Sequence, residues 1–348
     1  NHEQIIRIKY NKNIYKFKTN LVGKIQIKNI LMSIIAATKS NLNFKQIVNT
    51  INKVKPVSGR LEPIGNIKNN SKVILDYAHT PDALKICLLN LKEQFKDKTI
   101  TIVFGCGGDR DKVKRSMMGK IANDYCDRIY LTDDNPRNEN PKKIRTAIKK
   151  SIKKLKVYEI SDRSKAIQKA IFDLKIGDIL VVAGKGHENI QHYGKVQKVF
   201  SDKEEILKTI KIKNKLLCND FKLNILIELS GAKNTSKKSK INNIIINSKK
   251  IKKNDVFFAI KGEKNNGNLY TNEALKKGAS LVVTNKLNKN KKQIHTKDTL
   301  KLLTKASSLL RENTSSTIIG ITGSCGKTSL KELIGKSLNK ICRVTYSP

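Results

Sequence analysis

Between residues 71 and 210, short β-branched and apolar runs alternate with stretches whose apolar positions recur at helical spacing. Val73, Ile74 and Leu75 predict a strand, and 81–95 predicts a helix with Pro81 in its first turn. Strands at 99–104, 128–131, 157–160 and 179–183 and helices at 113–125, 141–153 and 162–174 continue the alternation. Such a βαβ succession predicts an α/β fold, a Rossmann-like and mostly parallel sheet with helices on both faces. The charged stretch 211–219 interrupts the pattern and reads as an interdomain linker. From Leu223 the alternation restarts with a short helix, strands at 241–247, 255–260 and 281–284, and a helix near 272–277. A longer helix at about 298–311 has Asp298 and Thr299 as candidate caps. Residues 317–321 then read as a strand that runs into a glycine-rich segment and a helix at 330–338.

The length of 348 residues fits two or three domains, and an apolar share of 38% is too high for a disordered basic tail. Lys and Arg number 71 against 29 Asp and Glu, a net charge of +42 that invites a nucleic-acid reading. The distribution argues against it. Only ten of the basic residues are arginine, lysines scatter along the whole chain, and pairs such as 237–238 and 291–292 have no interleaved aromatics for base stacking. No nucleic-acid partner is therefore expected. Six separated cysteines without a CxxC pair read as reduced thiols. No apolar run reaches about 18 residues and no cleavable leader is recognisable, so the expectation is a soluble cytoplasmic protein without a membrane partner.

In a parallel sheet, ligands sit beyond the carboxyl ends of the strands, and the motif-like residues fall there. They are 76–79 after the first strand, 105–110 after the second, 133–137 after the third and 184–188 after the last. Gly105 to Gly108 could be only a tight turn, and Asp134-Asn135-Pro136 is a common turn sequence. Arg110 and Arg137 shift that reading, because this chain otherwise uses lysine and a guanidinium fork grips a carboxylate bidentately. Glu188, after a flexible Gly-Lys-Gly, could meet an ammonium group, so the edge complements a zwitterionic amino acid. His79 and His187 read as structural or hydrogen-bonding. At 322–329, a strand, a glycine-rich loop with Gly326-Lys327-Thr328 and a helix form the context of a phosphate-binding loop. Its amides would cradle phosphates, Lys327 would neutralise them, and Thr328 would hold Mg²⁺. The general pattern has glycine at 321, where this chain has Ile321.

These residues resemble the Mur ligase family. Residues 1 to about 212 resemble the C-terminal part of the member that adds meso-diaminopimelate, through 58–62, 76–82, 104–110, 134–137, 162–163 and 183–188. Residues from about 216 resemble the N-terminal part of the member that adds D-alanyl-D-alanine, through 247–249, 255–263, 274–279 and 321–329. The resemblance implies an ATP-dependent amide ligase of peptidoglycan precursor synthesis, fused to a second one. ATP would phosphorylate the carboxylate of a UDP-MurNAc-peptide, and the incoming amine would attack the acyl phosphate.

Carried over residue by residue, the resemblance implies that Arg110, Asp134, Asn135, Pro136, Arg137, Gly184 and Glu188 bind meso-diaminopimelate. Arg60 and Asp76 would reach ATP, as would Asn29 in the segment 23–29, where Gln26 replaces the family's asparagine. Gly323, Ser324, Cys325, Gly326, Lys327, Thr328 and Ser329 would form the ATP loop, with Lys327 and Arg60 as catalytic residues. Ser248 would contact the uridine nucleotide; the family's Asp-Gly-His appears here as Asn266-Gly267-Asn268.

The expected organisation is the tail of a central ATPase domain at 1–57, a Rossmann-like C-terminal ligase domain at 58–212 and a linker at 213–222. A small α/β UDP-substrate domain at 223–313 and the start of a phosphate-loop domain at 314–348 follow. The expected state is a monomer, and this piece alone is expected to be inactive, because each ligase portion lacks part of its ATPase domain. Another amide ligase with the same loop, such as a folylpolyglutamate synthetase, is the alternative within the enzymes.

Overall fold

The computed structural model describes residues 4–232, 241–262, 265–287, 292–313 and 316–347. The lysine pair 237–238, Lys291 and Glu263 lie outside the described residues, as do the ends of the segment expected at 314–348. Residues 1–309 form one compact unit and 310–348 a second.

The first unit opens with an antiparallel hairpin, β1 (Gln4–Tyr10) and β2 (Asn13–Thr19), in which Tyr10 faces Asn13. Its two turn residues, Asn11 and Lys12, have φ of 46° and 66°, the left-handed pair that a tight hairpin turn requires. Helices α1 (Lys24–Lys39) and α2 (Phe44–Thr50) pack on it around Phe17, Ile30, Ile34 and Val48.

The main sheet follows. In chain order it contributes β3 (Glu62–Pro63), β4 (Lys72–Asp76), α3 (Pro81–Gln94), β5 (Ile100–Phe104), α4 (Val113–Tyr125), β6 (Arg128–Leu131), α5 (Pro141–Lys149), β7 (Val157–Glu159), α6 (Arg163–Phe172) and β8 (Ile179–Ala183). A short hairpin, β9 (Ile190–Tyr193) and β10 (Val196–Val199), and helix α7 (Asp202–Leu216) complete it. The strand order is β3-β4-β8-β5-β6-β7, parallel throughout except for β3 at the edge. Every residue of β5 and β8 is buried, as befits parallel strands covered on both faces. Leu84, Leu88, Met118 and Ile144 from α3, α4 and α5 fill one face; Ala166, Ile167, Ile171, Ile206 and Ile210 from α6 and α7 fill the other.

Helix starts follow local chemistry. Thr80, Asn140, Asp162 and Ser201 each accept a backbone N–H of the first turn of α3, α5, α6 and α7, and proline follows at the first position of α3 and α5.

The linker expected at 213–222 is corrected. Helix α7 runs through Leu216, and α8 (Phe221–Ser230) begins after the cap Asp220. Lys213 is buried, and its ammonium donates to the carbonyls of Ile171 and Leu174 at 2.8 and 2.7 Å. The charge run is thus part of a packed helix, with Lys213 directed inward and Lys211 and Lys215 exposed. From α8, Glu228 accepts the Ile176 N–H, so the helix is tied to the loop before β8.

A second, four-stranded parallel sheet is built from β11 (Ile244–Ile245), β12 (Val256–Phe258), β13 (Leu281–Thr284) and β14 (Gln293–His295), in that order. Helix α9 (Thr271–Lys276) precedes β13, and α10 (Thr299–Glu312), capped by Asp298, follows β14.

In the second unit, helix α11 (Lys327–Leu338) forms as expected. The strand expected at 317–321 does not: these residues have no regular structure. A strand exists only by pairing in a sheet, and among the described residues of this unit no second strand is present.

Candidate functional site

Because β4, β8, β5 and β6 are neighbours in the sheet, the loops that leave their carboxyl ends meet at one edge. They enclose a cavity of about 530 Å³. Six of the seven residues expected to bind the amino acid line it: Arg110, Asp134, Asn135, Arg137, Gly184 and Glu188. Tyr77, Gly105, Gly107 and Lys114 are among the other lining residues.

Pro136 stands behind this wall, and glycine at 108 is what lets the two loops touch. Gly108 N–H donates to Asn135 O at 2.9 Å, and Arg137 Nη1 donates to Gly108 O at 2.7 Å. A Cβ at Gly108 would fall 1.9 Å from Pro136 O, a backbone atom that cannot swing away. We therefore expect Gly108→Ala to push the 134–137 turn out of place and to cost about 1–3 kcal/mol of stability. Urea unfolding measures it; an unchanged midpoint would refute this packing.

Asp134 lies under Gly184, whose φ is 113° and whose missing Cβ would sit 2.5 Å from Asp134 Oδ2. Burial pushes the Asp134 carboxyl up, against the pull of Arg163 and Lys185. Glu188 goes the other way. Burial raises it, but hydrogen bonds from Lys185, Asn135 and Tyr77, together with the Lys185 charge, outweigh that and hold it below its ordinary value. Burial likewise pushes the Cys106 thiol, at the cavity wall, up to about 12, so it is not a nucleophile there.

Sequence reasoning missed two parts of the site. Lys185, read as part of a flexible lead to Glu188, is fully buried and donates to Asn135, Glu188 and the Ile190 carbonyl. Hairpin β9–β10 was not foreseen, yet β9 braces the 133–137 turn. Gln191 Nε2 donates to the carbonyls of Asp133 and Asp134, His192 N–H to Asn135 Oδ1, and Arg137 N–H to His192 O. The alternation of Ile190 to Tyr193 around a buried Gln191 is too short to be read as a strand without its partner.

The residues expected to reach nucleotide also come together. Asn29 Nδ2 donates to Gln26 Oε1, and Gln26 Nε2 donates to the Arg60 carbonyl, both at 3.2 Å. The Arg60 guanidinium lies 4.7 Å from the centre of the Tyr77 ring. Both carboxylate oxygens of Asp76 are engaged, by the N–H groups of Leu61 and Ala78, so Asp76 fastens the 58–62 turn to the end of β4.

In the second sheet, Ser248 opens a short helical turn and its carbonyl accepts from Lys277 Nζ. Asn266 accepts from Asn268, which in turn accepts the Thr284 hydroxyl at 2.6 Å. The Asn-Gly-Asn segment is thus internally satisfied.

In the second unit, Gly323 and Gly326 have φ of 152° and 74°, and α11 begins directly at Lys327 without a side-chain cap. Its first amides are thereby left for an anion, which fits the phosphate-loop reading. Lys327 Nζ donates to the carbonyls of Gly323 and Ser324, and residues 323–329 are exposed. No group of three His, Cys, Asp or Glu among the described residues could hold a metal, and no described helix is long and apolar enough to cross a membrane.

A mixed α/β fold with a four-loop cavity at its parallel sheet defines the class. Residues 59–186 match the family model for the Mur ligase, glutamate ligase domain, and residues 240–309 match that for the Mur ligase family, catalytic domain. Both matched segments belong to the Mur ligase family. Among its relatives, the UDP-N-acetylmuramoyl-L-alanyl-D-glutamate--2,6-diaminopimelate ligase of Rickettsia montanensis is 43% identical over 210 residues, which are 60% of this chain and 43% of the relative. The ligase of the same name from Rhizobium meliloti is 41% identical over 209 residues, 60% of this chain and 42% of its own length. A solved structure of a ligase of that name aligns with a TM-score of 0.50 at 34% identity, covering 60% of this chain and 43% of that one. This chain therefore spans less than half the length of the relatives it matches.

Proposed function

We propose that residues 58–212 are the amino-acid-adding domain of an ATP-dependent peptidoglycan-precursor ligase that joins meso-diaminopimelate to UDP-MurNAc-L-Ala-D-Glu. One observation carries this reading: a single cavity presents two guanidinium groups, Arg110 and Arg137, together with three carboxyl groups, Asp111, Asp134 and Glu188. That set matches one carboxylate and one ammonium of an amino acid, held at one end so that an amine at the other end stays free. The free amine attacks a carboxyl group activated by ATP, and phosphate leaves as the amide forms. Proximity and charge neutralisation supply most of the acceleration in such transfers. Arg60 and Asp76 of this domain, with Asn29 of the segment before it, would form the nucleotide-facing side, where the exposed Arg60 lies over the half-buried Tyr77 ring.

The second segment, from about residue 216, is proposed as the start of a ligase that adds D-Ala-D-Ala to the UDP-MurNAc-tripeptide, with Ser248 at the uridine nucleotide. What supports a second ligase segment is the second family match, which follows the first along the chain. Residues 323–329 would hold the ATP phosphates through their amides and Lys327, and Thr328 would hold Mg²⁺, which neutralises phosphate charge when bound.

Ligand selection tests the reading. The chain is expected to bind meso-diaminopimelate, and to bind L-lysine, which lacks the second carboxylate, roughly tenfold or more weakly. Calorimetry or saturation-transfer NMR reads both. Equal affinity for lysine, or a preference for glutamate, would sink it in favour of another amide ligase.

A further inference from the structure

Lys185 is a fully buried cation that does not line the cavity, although Asn135 and Glu188, which it touches, both do. Its ammonium has three protons and three acceptors: Asn135 Oδ1 at 3.2 Å, Glu188 Oε2 at 3.1 Å and the Ile190 carbonyl at 2.5 Å. The Asn135 amide is thereby clamped in one orientation. Its Oδ1 accepts from Lys185 and from the His192 N–H, and its Nδ2 donates to Glu188 Oε2 at 3.2 Å. Tyr77 donates to the other Glu188 oxygen at 3.3 Å. One cation thus links the loop after β8, the loop after β6 and strand β9. If filling space were the only requirement, an apolar side chain would serve with less desolvation cost.

We propose that Lys185 is a positioning residue of the amino-acid site, fixing from behind the wall, directly and through the Asn135 amide, the Glu188 carboxylate that receives the ligand's ammonium group. The inference rests on reading the cavity as the amino-acid site. Its consequence is a pH profile. The groups that face Glu188 are Lys185 from its own loop, Tyr77 from the loop after β4 and Asn135 from the loop after β6. Asp134, also after β6, and Arg163 from α6 act on the same cluster. Of the two cations, Lys185 is the one bonded to Glu188. Without it, burial and the nearby Asp134 push the carboxyl up, so ammonium binding fails as the solution is acidified.

The test uses the full chain in two arms. Carbon-detected NMR follows the Glu188 carboxyl in the wild type and in Lys185→Met. The wild type is expected to titrate below the ordinary glutamate value and the variant at a higher pH than the wild type. Calorimetry with meso-diaminopimelate is expected to give a loss of affinity of roughly tenfold at about pH 8, widening at about pH 6. An identical Glu188 titration in the two proteins overturns the inference whatever the ligand does, and so does an affinity loss that is the same at both pH values. If the titration moves but the wild type binds no diaminopimelate, the substrate reading falls while the hold of Lys185 on Glu188 stands. Should Lys185→Met not fold, Glu188→Gln replaces it. The Lys185 ammonium protons are expected to exchange slowly in the wild type and faster in that variant, and unchanged exchange overturns the inference.

Discussion

Replacing Asp202 with asparagine is expected to destabilise the protein by about 3–5 kcal/mol, as breaking one side of a buried ion pair does. Arg163 and Asp202 are both fully buried, and the guanidinium donates to the two carboxylate oxygens at 2.7 Å each. A third bond, from Arg163 Nη2 to the Ala183 carbonyl at 2.9 Å, fastens the pair to the last residue of β8. The substitution leaves a guanidinium charge out of water and without the carboxylate bonded to it, with only the more distant Asp134 and Glu188 to offset it. Since Arg163 opens α6 and Asp202 opens α7, the loss falls on the start of both helices and on the strand end that carries Gly184. Urea unfolding reads the effect. Arg163→Met combined with Asp202→Leu should regain most of the stability, because the charge is then removed along with its partner. A single variant with a wild-type midpoint would contradict the burial of the pair.

Arg137→Lys is expected to lower affinity for meso-diaminopimelate by on the order of 10–100-fold, with little change in stability. The swap is a narrow one. Arg137 has φ of 50°, and lysine adopts the left-handed region no better and no worse, so the backbone contribution cancels. One nitrogen of the fork donates to Gly108 O, a bond that a lysine could still make in part. What lysine cannot supply is the second, parallel donor to a carboxylate. Titration calorimetry of the two proteins decides it. If the lysine variant binds as tightly as the wild type, the carboxylate is held elsewhere, and the cavity reading loses its main support.

The main sheet was legible because buried parallel strands are written as continuous apolar runs, such as Ile100 to Phe104 and Ile179 to Ala183, and helices α3 to α6 show apolar positions at helical spacing between them. The cavity was legible for the same reason: strand ends locate the loops. Elements that depend on a partner were not. The hairpin of β9 and β10 has one strand wholly exposed, so no apolar period marks it, and β14 is three residues long. Lys185 was quoted as part of a motif, but nothing in Gly-Lys-Gly says whether the side chain points to water or to Asn135. That is decided by the strand order, which brings residue 135 beside residue 185. Residues 211–216 erred in the opposite sense, since a helix with one lysine directed inward looks in sequence like a solvated run.

The position of β8 also has a consequence in time. It is the last strand of the main sheet to emerge during synthesis, yet it lies between β4 and β5, with Lys72 paired to Ile179 and Ile100 paired to the same residue. A nascent chain that has completed five strands still lacks the one that joins β4 to the rest, and its apolar edges stay open until Ile179 to Ala183 arrive. Assembly of this domain is therefore closed by its final strand rather than built outward from its first, and long-range pairing of that kind folds slowly.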